Sequence, residues 1–173
     1  MILYTTLDIA HKEKGTDMEK IQAFNETVAF KDPHHEALVG VWWTGQVLRK
    51  HANKFFRKHN SSDIQFNILM QLKVEERPLN QQELSERLFV DKSNLTGVAG
   101  RMEAAGLIER ETNPEDKRAY RLRLTAAGRK ALAKMEGPYW DEVMGIMKQF
   151  SGEEAGALTE MMRKMQVAIL RML

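Results

Sequence analysis

Cysteine is absent from this chain, and only four of its 173 residues are proline. Without thiols there is no disulfide scaffold, no thiolate zinc finger, no cysteine nucleophile and no thiol redox sensor. No apolar run approaches the ~18 residues of a membrane-spanning helix. The opening stretch MILYTTLDIAHKEKG lacks the long apolar segment and small-residue cleavage site of a secretory signal. A cytoplasmic protein with no membrane partner is therefore expected. A Gly-rich phosphate loop, a nucleophile elbow and a paired His-Glu zinc helix are missing too, so no enzyme and no cofactor is expected. Net charge is also scarce: 26 Lys and Arg stand against 24 Asp and Glu, leaving +2. Where positive charge clusters therefore matters more than its total.

What the chain does have is periodic apolar sequence. A capping box at Thr16 and Glu19 precedes Met18, Ile21, Phe24 and Val28 at helical spacing, predicting a short helix in an extension over 1–33. Leu38, Val41, Gly45, Leu48, Ala52 and Phe55 step by three and four through a long helix over 34–58, which His59-Asn60 breaks. Ser61 or Ser62 can cap a second helix over 61–74. Asn80 can cap a third, Gln81 to Leu88, and Asp91 a fourth, Lys92 to Ala105. Gly106 then stands where a left-handed glycine ends a helix. From Leu107 the period changes. Thr112 to Lys117 has turn chemistry and Ala119 to Leu124 alternates, which predicts a hairpin with a polar tip. Thr125 caps a further helix that Gly137-Pro138 bends. Ser151 with Glu154 opens the last, whose Leu158, Met161, Met162, Met165, Ala168, Ile169 and Met172 form one stripe. The order gives a mainly α fold with a small β wing: a winged helix-turn-helix at 61–128, a dimerisation helix at 34–60 and dimerisation helices at 129–173.

The segment over 92–105 meets the specification of a helix that reads duplex DNA. The major groove is about 12 Å wide, so the entering face needs small residues and side chains with donors and acceptors. Ser93, Asn94, Thr96, Gly97, Gly100 and Arg101 supply them, while Leu95, Val98, Met102 and Leu107 can pack inward. An amphipathic surface helix shares that pattern. The run that follows separates the two readings. Lys117, Arg118, Arg121, Arg123, Arg129, Lys130 and Lys134 fall in eighteen residues with no acid among them, a ribbon suited to phosphates.

NQQELSERLFVDKSNLTGVAGRMEAAGLIERETNPEDKRAYRLRLTAAG, residues 80–128, strongly resembles the MarR (multiple antibiotic resistance regulator) family of transcription factors. DKRAYRLRLT, residues 116–125, fits the family wing pattern Asp-x-Arg-x-x-x-Leu-x-Leu-Thr. SNLTGVAGRMEAAGLIER at 93–110 resembles its recognition helix and first wing strand, and QFNILMQL at 65–72 the helix before. The resemblance implies a homodimer whose two lobes face a near-palindromic operator in double-stranded DNA, with repression the commoner outcome. It implies that Lys92, Ser93, Asn94, Thr96, Gly97 and Arg101 meet the major groove or its flanking phosphates. Gln81 and Gln82 would lie near backbone phosphate. Arg118 would enter the minor groove, held by Asp116, with Lys117 and Arg121 beside it. Many members carry an acid where this chain has Gly100, and Met102 replaces the more usual Leu.

The family also implies a small, often anionic aromatic effector between the dimerisation helices and the winged lobe. Trp42, Trp43, His51, Phe55, Phe66, Met70 and Trp140 lie in suitable helices. The terminal helices are too apolar on one face to stand alone in water, which puts Leu38, Leu158, Met161, Met162, Met165 and Ile169 at the dimer interface. Seven of the eleven methionines lie from Met135 onward, a soft and adaptable core for it. All five histidines fall within the first 59 residues. His34-His35-Glu36 could seed a metal site, but neighbours on a helix point about 100° apart, so no metal is assigned. The alternatives to a DNA-binding regulator of this kind are a winged-helix module that binds protein and a zinc-responsive regulator.

Overall fold

The computed structural model describes residues 19, 21, 29–112 and 120–173. Glu19 and Ile21 have helical backbone; the rest of the helix predicted in the extension lies outside the described residues. The chain divides into two compact units, Met1–His51 and Ala52–Leu173.

Helix α1 runs Pro33–Lys58. Proline fits the first helical position, where its missing N–H costs nothing. Asp32 Oδ1 accepts from His34 N at 2.7 Å and His35 N at 3.0 Å, and these bonds hold its carboxyl below the usual Asp value. His34 and His35 thus belong to a helix entry. The helix ends where Asn60 turns left-handed at φ 51°. Helix α2, Asp63–Glu75, is capped by Ser62. Strand β1, Leu79–Asn80, follows. Helices α3, Gln81–Leu88, and α4, Lys92–Ala104, make the helix-turn-helix. Strands β2, Ile108–Thr112, and β3, Tyr120–Leu124, make the wing. Helices α5, Ala126–Met147, and α6, Gly152–Leu170, complete the chain. Pro138 sits inside α5, which continues past it.

The sheet is antiparallel in the order β1-β3-β2. Leu79 pairs with Leu122, and Ile108 with Leu124. Strand β1 is too short to register as an alternating pattern, and the sequence did not predict it. One core joins α2, α3, α4, the sheet and α5. Ile68, Leu79, Leu84, Leu95, Met102, Ile108, Leu122 and Leu132 are fully buried in it. Phe55, Phe56, Phe66 and Tyr139 form an aromatic cluster at one side, with Phe66 and Tyr139 ring centroids 4.7 Å apart.

A close junction ties the end of α4 to the start of α5. Gly106 is left-handed at φ 70°, as predicted. Thr125 Oγ1 lies 2.7 Å from Gly106 O and 3.0 Å from Leu107 O, and accepts from Gly128 N at 3.0 Å. A Cβ at position 128 would sit 2.0 Å from Leu107 O. Only glycine lets α5 begin this close to the backbone that leaves α4.

Candidate nucleic-acid interface

Helix α3 is held firmly at both ends. Asn80 and Glu83 form the capping box, each side chain accepting from the other's backbone N–H at 2.8 Å. Arg77 donates to Glu83, and Arg87 reaches back to Glu75 at the end of α2. The Arg87 hydrogen bond, aided by Arg77, holds the Glu75 carboxyl below the ordinary glutamate value. Partial burial pushes Glu83 up, but Arg77 and the Asn80 N–H outweigh it and lower its pKa. The turn after α3 is made by Phe89, left-handed at φ 50° and 79% exposed. Ser85 Oγ donates to Val90 O at 2.7 Å across it.

Helix α4 sits on this support with two contrasting faces. Leu95, Val98, Ala99 and Met102 are buried. Lys92, Ser93, Asn94, Thr96, Gly97 and Arg101 are all exposed, so the structure brings the six predicted residues of this helix onto one open face. Asp91 has the predicted N-cap backbone, but its side chain makes no capping bond. Thr96 Oγ1 lies 2.8 Å from Lys92 O and 3.0 Å from Gln81 Oε1, so its single proton can serve either acceptor. That second contact brings Gln81 to the same surface. Gln82 is exposed one residue on and donates to Glu86 at 2.9 Å. Among the described residues, Lys92 and Arg101 form no ion pair. A helix about 10–12 Å across with unpaired cations and short polar side chains outward fits a 12 Å groove.

The wing carries less open charge than the count of its basic residues suggests. In the register, Glu109 faces Arg123 and Glu111 faces Arg121. Arg123 Nε donates to Glu111 at 2.9 Å and lies 4.0 Å from Glu109. That hydrogen bond raises the Arg123 pKa, and its charge is answered within the wing. Arg121 is half-buried on the same side of β3. Asp116, Lys117 and Arg118 lie outside the described residues.

One residue in this region was not singled out from sequence. Arg110 lies on the opposite face of β2, the face of Ile108 and Leu122. Its Nε is 3.1 Å from Glu103 Oε2 on α4, though not aligned for a hydrogen bond. Its guanidinium carbon stands 6.0 Å from the Tyr120 ring centre. A Cβ at position 100 would lie 3.9 Å from its Nη2, so the guanidinium rests over Gly100. The alternation of Ile108, Arg110 and Thr112 held this signal.

The residues proposed for an effector site differ in burial. Phe55 and Phe66 are buried in the core, with Met70 packed against it. Trp140 is 56% exposed, edge-on to Tyr139. Trp42 and His51 are exposed and Trp43 is half-buried. A separate cavity of about 330 Å³ is lined by His59, Asn60, Ser61, Gln65, Leu107 and Lys134, among others, and by none of those seven.

A helix-turn-helix followed directly by a two-stranded wing, with a third short strand completing the sheet, defines a winged helix-turn-helix protein. A MarR-family sequence profile matches residues 59–119. The transcriptional regulator HosA of Escherichia coli O111:H- is 31% identical over 127 residues, covering 71% of this chain and 91% of HosA. The chain belongs to the MarR family. Its alignments to two other curated bacterial regulators span only 52% and 65% of their lengths. Among solved structures, a mutant MarR from E. coli complexed with operator DNA superposes with a TM-score of 0.68 at 22% identity, covering 78% of this chain and 99% of that one. The organohalide-sensing regulator RdhR in its 2,4-dichlorophenol-bound form gives 0.72 at 18% identity, covering 85% of each chain. Among the described residues no helix is long and apolar enough to cross a membrane.

Proposed function

We propose that this chain is a transcriptional regulator that binds a near-palindromic operator in double-stranded DNA as a homodimer, acting as a repressor. The observation that carries this reading is the exposed face of α4, where Lys92 and Arg101, in no ion pair among the described residues, stand beside Ser93, Asn94, Thr96 and Gly97. Asn can read adenine and Arg can read guanine with paired hydrogen bonds. Arg118, with Asp116 and Lys117, would extend the contact to the adjacent minor groove, where negative potential is greatest. Membership of the MarR family and the operator complex of a structural neighbour support the same reading.

Dimerisation is supported by the apolar surface of the terminal helices. Leu38, Met161 and Ile169 are 53%, 56% and 47% exposed, and α6 buries no residue. A twofold pair would set two copies of α4 about 34 Å apart, one turn of duplex.

The regulator is further proposed to respond to a small aromatic ligand, as a dichlorophenol-bound neighbour does by its description. Trp42, Trp43, His51, Phe55, Phe66, Met70 and Trp140 are its proposed walls. The cavity rimmed by His59 and Lys134 is the alternative seat for an anionic ligand, because it is open and has a cation at its edge. A ligand would release DNA only by the difference in its affinity for the two conformations.

The test is selection of a preferred duplex from a random pool, then binding at several salt concentrations. Sequence-specific binding that weakens steeply with salt is expected. A flat salt response, or equal affinity for the selected and random duplexes, would instead point to a protein-binding winged-helix module. Repeating the selection with aromatic acids present identifies the effector.

A further inference from the structure

Arg110 belongs to β2 but reaches α4. Its neighbours there are Glu103, 3.1 Å from Nε, and the bare backbone of Gly100 under Nη2. An arginine carries five N–H donors in a planar fork. Among the described residues none of the four on Nη1 and Nη2 has a partner. Tyr120, half exposed at the start of β3, stands beside the fork at 6.0 Å. The fork is thus held from one side by a carboxylate and an aromatic ring, with its outer edge open between recognition helix and wing.

Two features argue that this edge faces something outside the chain. First, the pair with Glu103 is partly exposed, at 28% and 39%, and such pairs add little stability. Second, glycine in the middle of a helix is less favourable than alanine. At position 100 that cost has no internal reason: a Cβ would meet only Arg110 Nη2, at the ordinary contact distance of 3.9 Å. Gly128 is the contrast, since a Cβ there collides with backbone. What glycine does at position 100 is leave the fork uncovered, and an acid there would seize it.

We infer that Arg110 is a phosphate-binding residue, whose Nη edge grips one backbone phosphodiester of duplex DNA in the cleft between α4 and β2, with Glu103 as the positioning carboxylate. The inference rests on the DNA-binding reading above. On that reading, a strand passing from the major groove under α4 to the minor groove under the wing would cross this cleft. Arginine suits the task because its fork meets two phosphate oxygens at once. One phosphate held there would also fix the wing against the recognition helix.

The experiment uses the full chain and a selected operator duplex, with random duplex as the second arm. Arg110→Ala should weaken both by about 10-fold or more, because a phosphate contact carries no sequence information. The slope of log K against log salt should flatten by about 0.9. Arg110→Lys should keep most of the slope and lose part of the affinity. Gly100→Asp should reproduce the Arg110→Ala loss with no fall in melting temperature, because the new carboxylate captures the fork. In an Arg110→Ala background, Gly100→Asp should do much less. Wild-type affinity and slope in Arg110→Ala, alongside a loss in Arg101→Ala, overturns the inference and leaves the DNA-binding reading standing. So does a loss in Arg110→Ala accompanied by a lowered melting temperature, if Gly100→Asp binds like wild type. Absence of salt-dependent duplex binding by the wild type overturns the DNA-binding reading itself.

Discussion

Helices α4 and α6 carry apolar residues at the same three-and-four spacing and end in opposite surroundings. Helix α4 buries Leu95, Val98, Ala99 and Met102, three of them completely. Helix α6 is longer, at 19 residues, and buries none. Leu158, Met161, Val167 and Ile169 stay 39% to 56% exposed. Apolar surface left in water forgoes about 25 cal/mol for each Å², so a stripe of this length needs a cover. The difference shows that apolar periodicity fixes the buried face of a helix without saying whose surface buries it. For α4 the cover is this chain's own core. For α6 the proposed cover is a second copy.

The largest effect expected is on the closed side. Gly128→Ala would drive a methyl group into Leu107 O, and the junction between α4 and α5 would have to open. A loss of at least about 3 kcal/mol is expected, read from urea denaturation. Leu95→Ala comes next, at about 2–5 kcal/mol for a fully buried leucine. Both losses should be the same at every protein concentration. Met165→Asp tests the other side: it should abolish the dimer by light scattering and remove the concentration dependence of melting. An unchanged dimer mass would remove α6 from the interface. A smaller effect is expected at the open face of α4. Asn94→Ala should cost about 1–3 kcal/mol on the selected operator and less on random duplex. Equal losses on both would make Asn94 a phosphate contact.

Much of the lobe could be read from the sequence because its signals are local. Asn80 with Glu83, Thr125 with Gly128, and Ser151 with Glu154 each close their hydrogen bonds within three residues. The alternation from Tyr120 to Leu124 likewise follows directly from the two-residue repeat of a strand. What escaped depends on pairing across distance. Strand β1 is defined by its pairing with β3, Leu79 against Leu122 and Asn80 against Arg121. How much of the wing's charge stays open depends on register, which sets Arg123 opposite Glu109 and within reach of Glu111. Arg110 was not singled out: its alternation with Ile108 puts it on the inner face of β2 but does not say that it reaches Gly100 on α4.

Acid sharpens the contrast between the two helical regions. In the lobe, Glu75 and Glu83 tie α2 to α3 through Arg87 and Arg77. At the start of α6, Glu154 accepts from Ser151 N at 2.7 Å, and this bond lowers its pKa. All three carboxyls titrate below the ordinary glutamate value of 4.5 when folded. Their contribution to stability is therefore fully present above that value and is lost as pH falls through the depressed folded values. A urea midpoint that is level from pH 7 to 5 and declines below the ordinary glutamate range is expected. Glu75→Gln should flatten the decline seen by probes in the lobe, because it removes a carboxylate that joins two helices of one core. Glu154→Gln should change it little, because its box closes on its own exposed helix end. If Glu154→Gln flattens the lobe's decline as much as Glu75→Gln does, α6 is folding as part of the lobe's own core, and the two helices are more alike than their burial suggests.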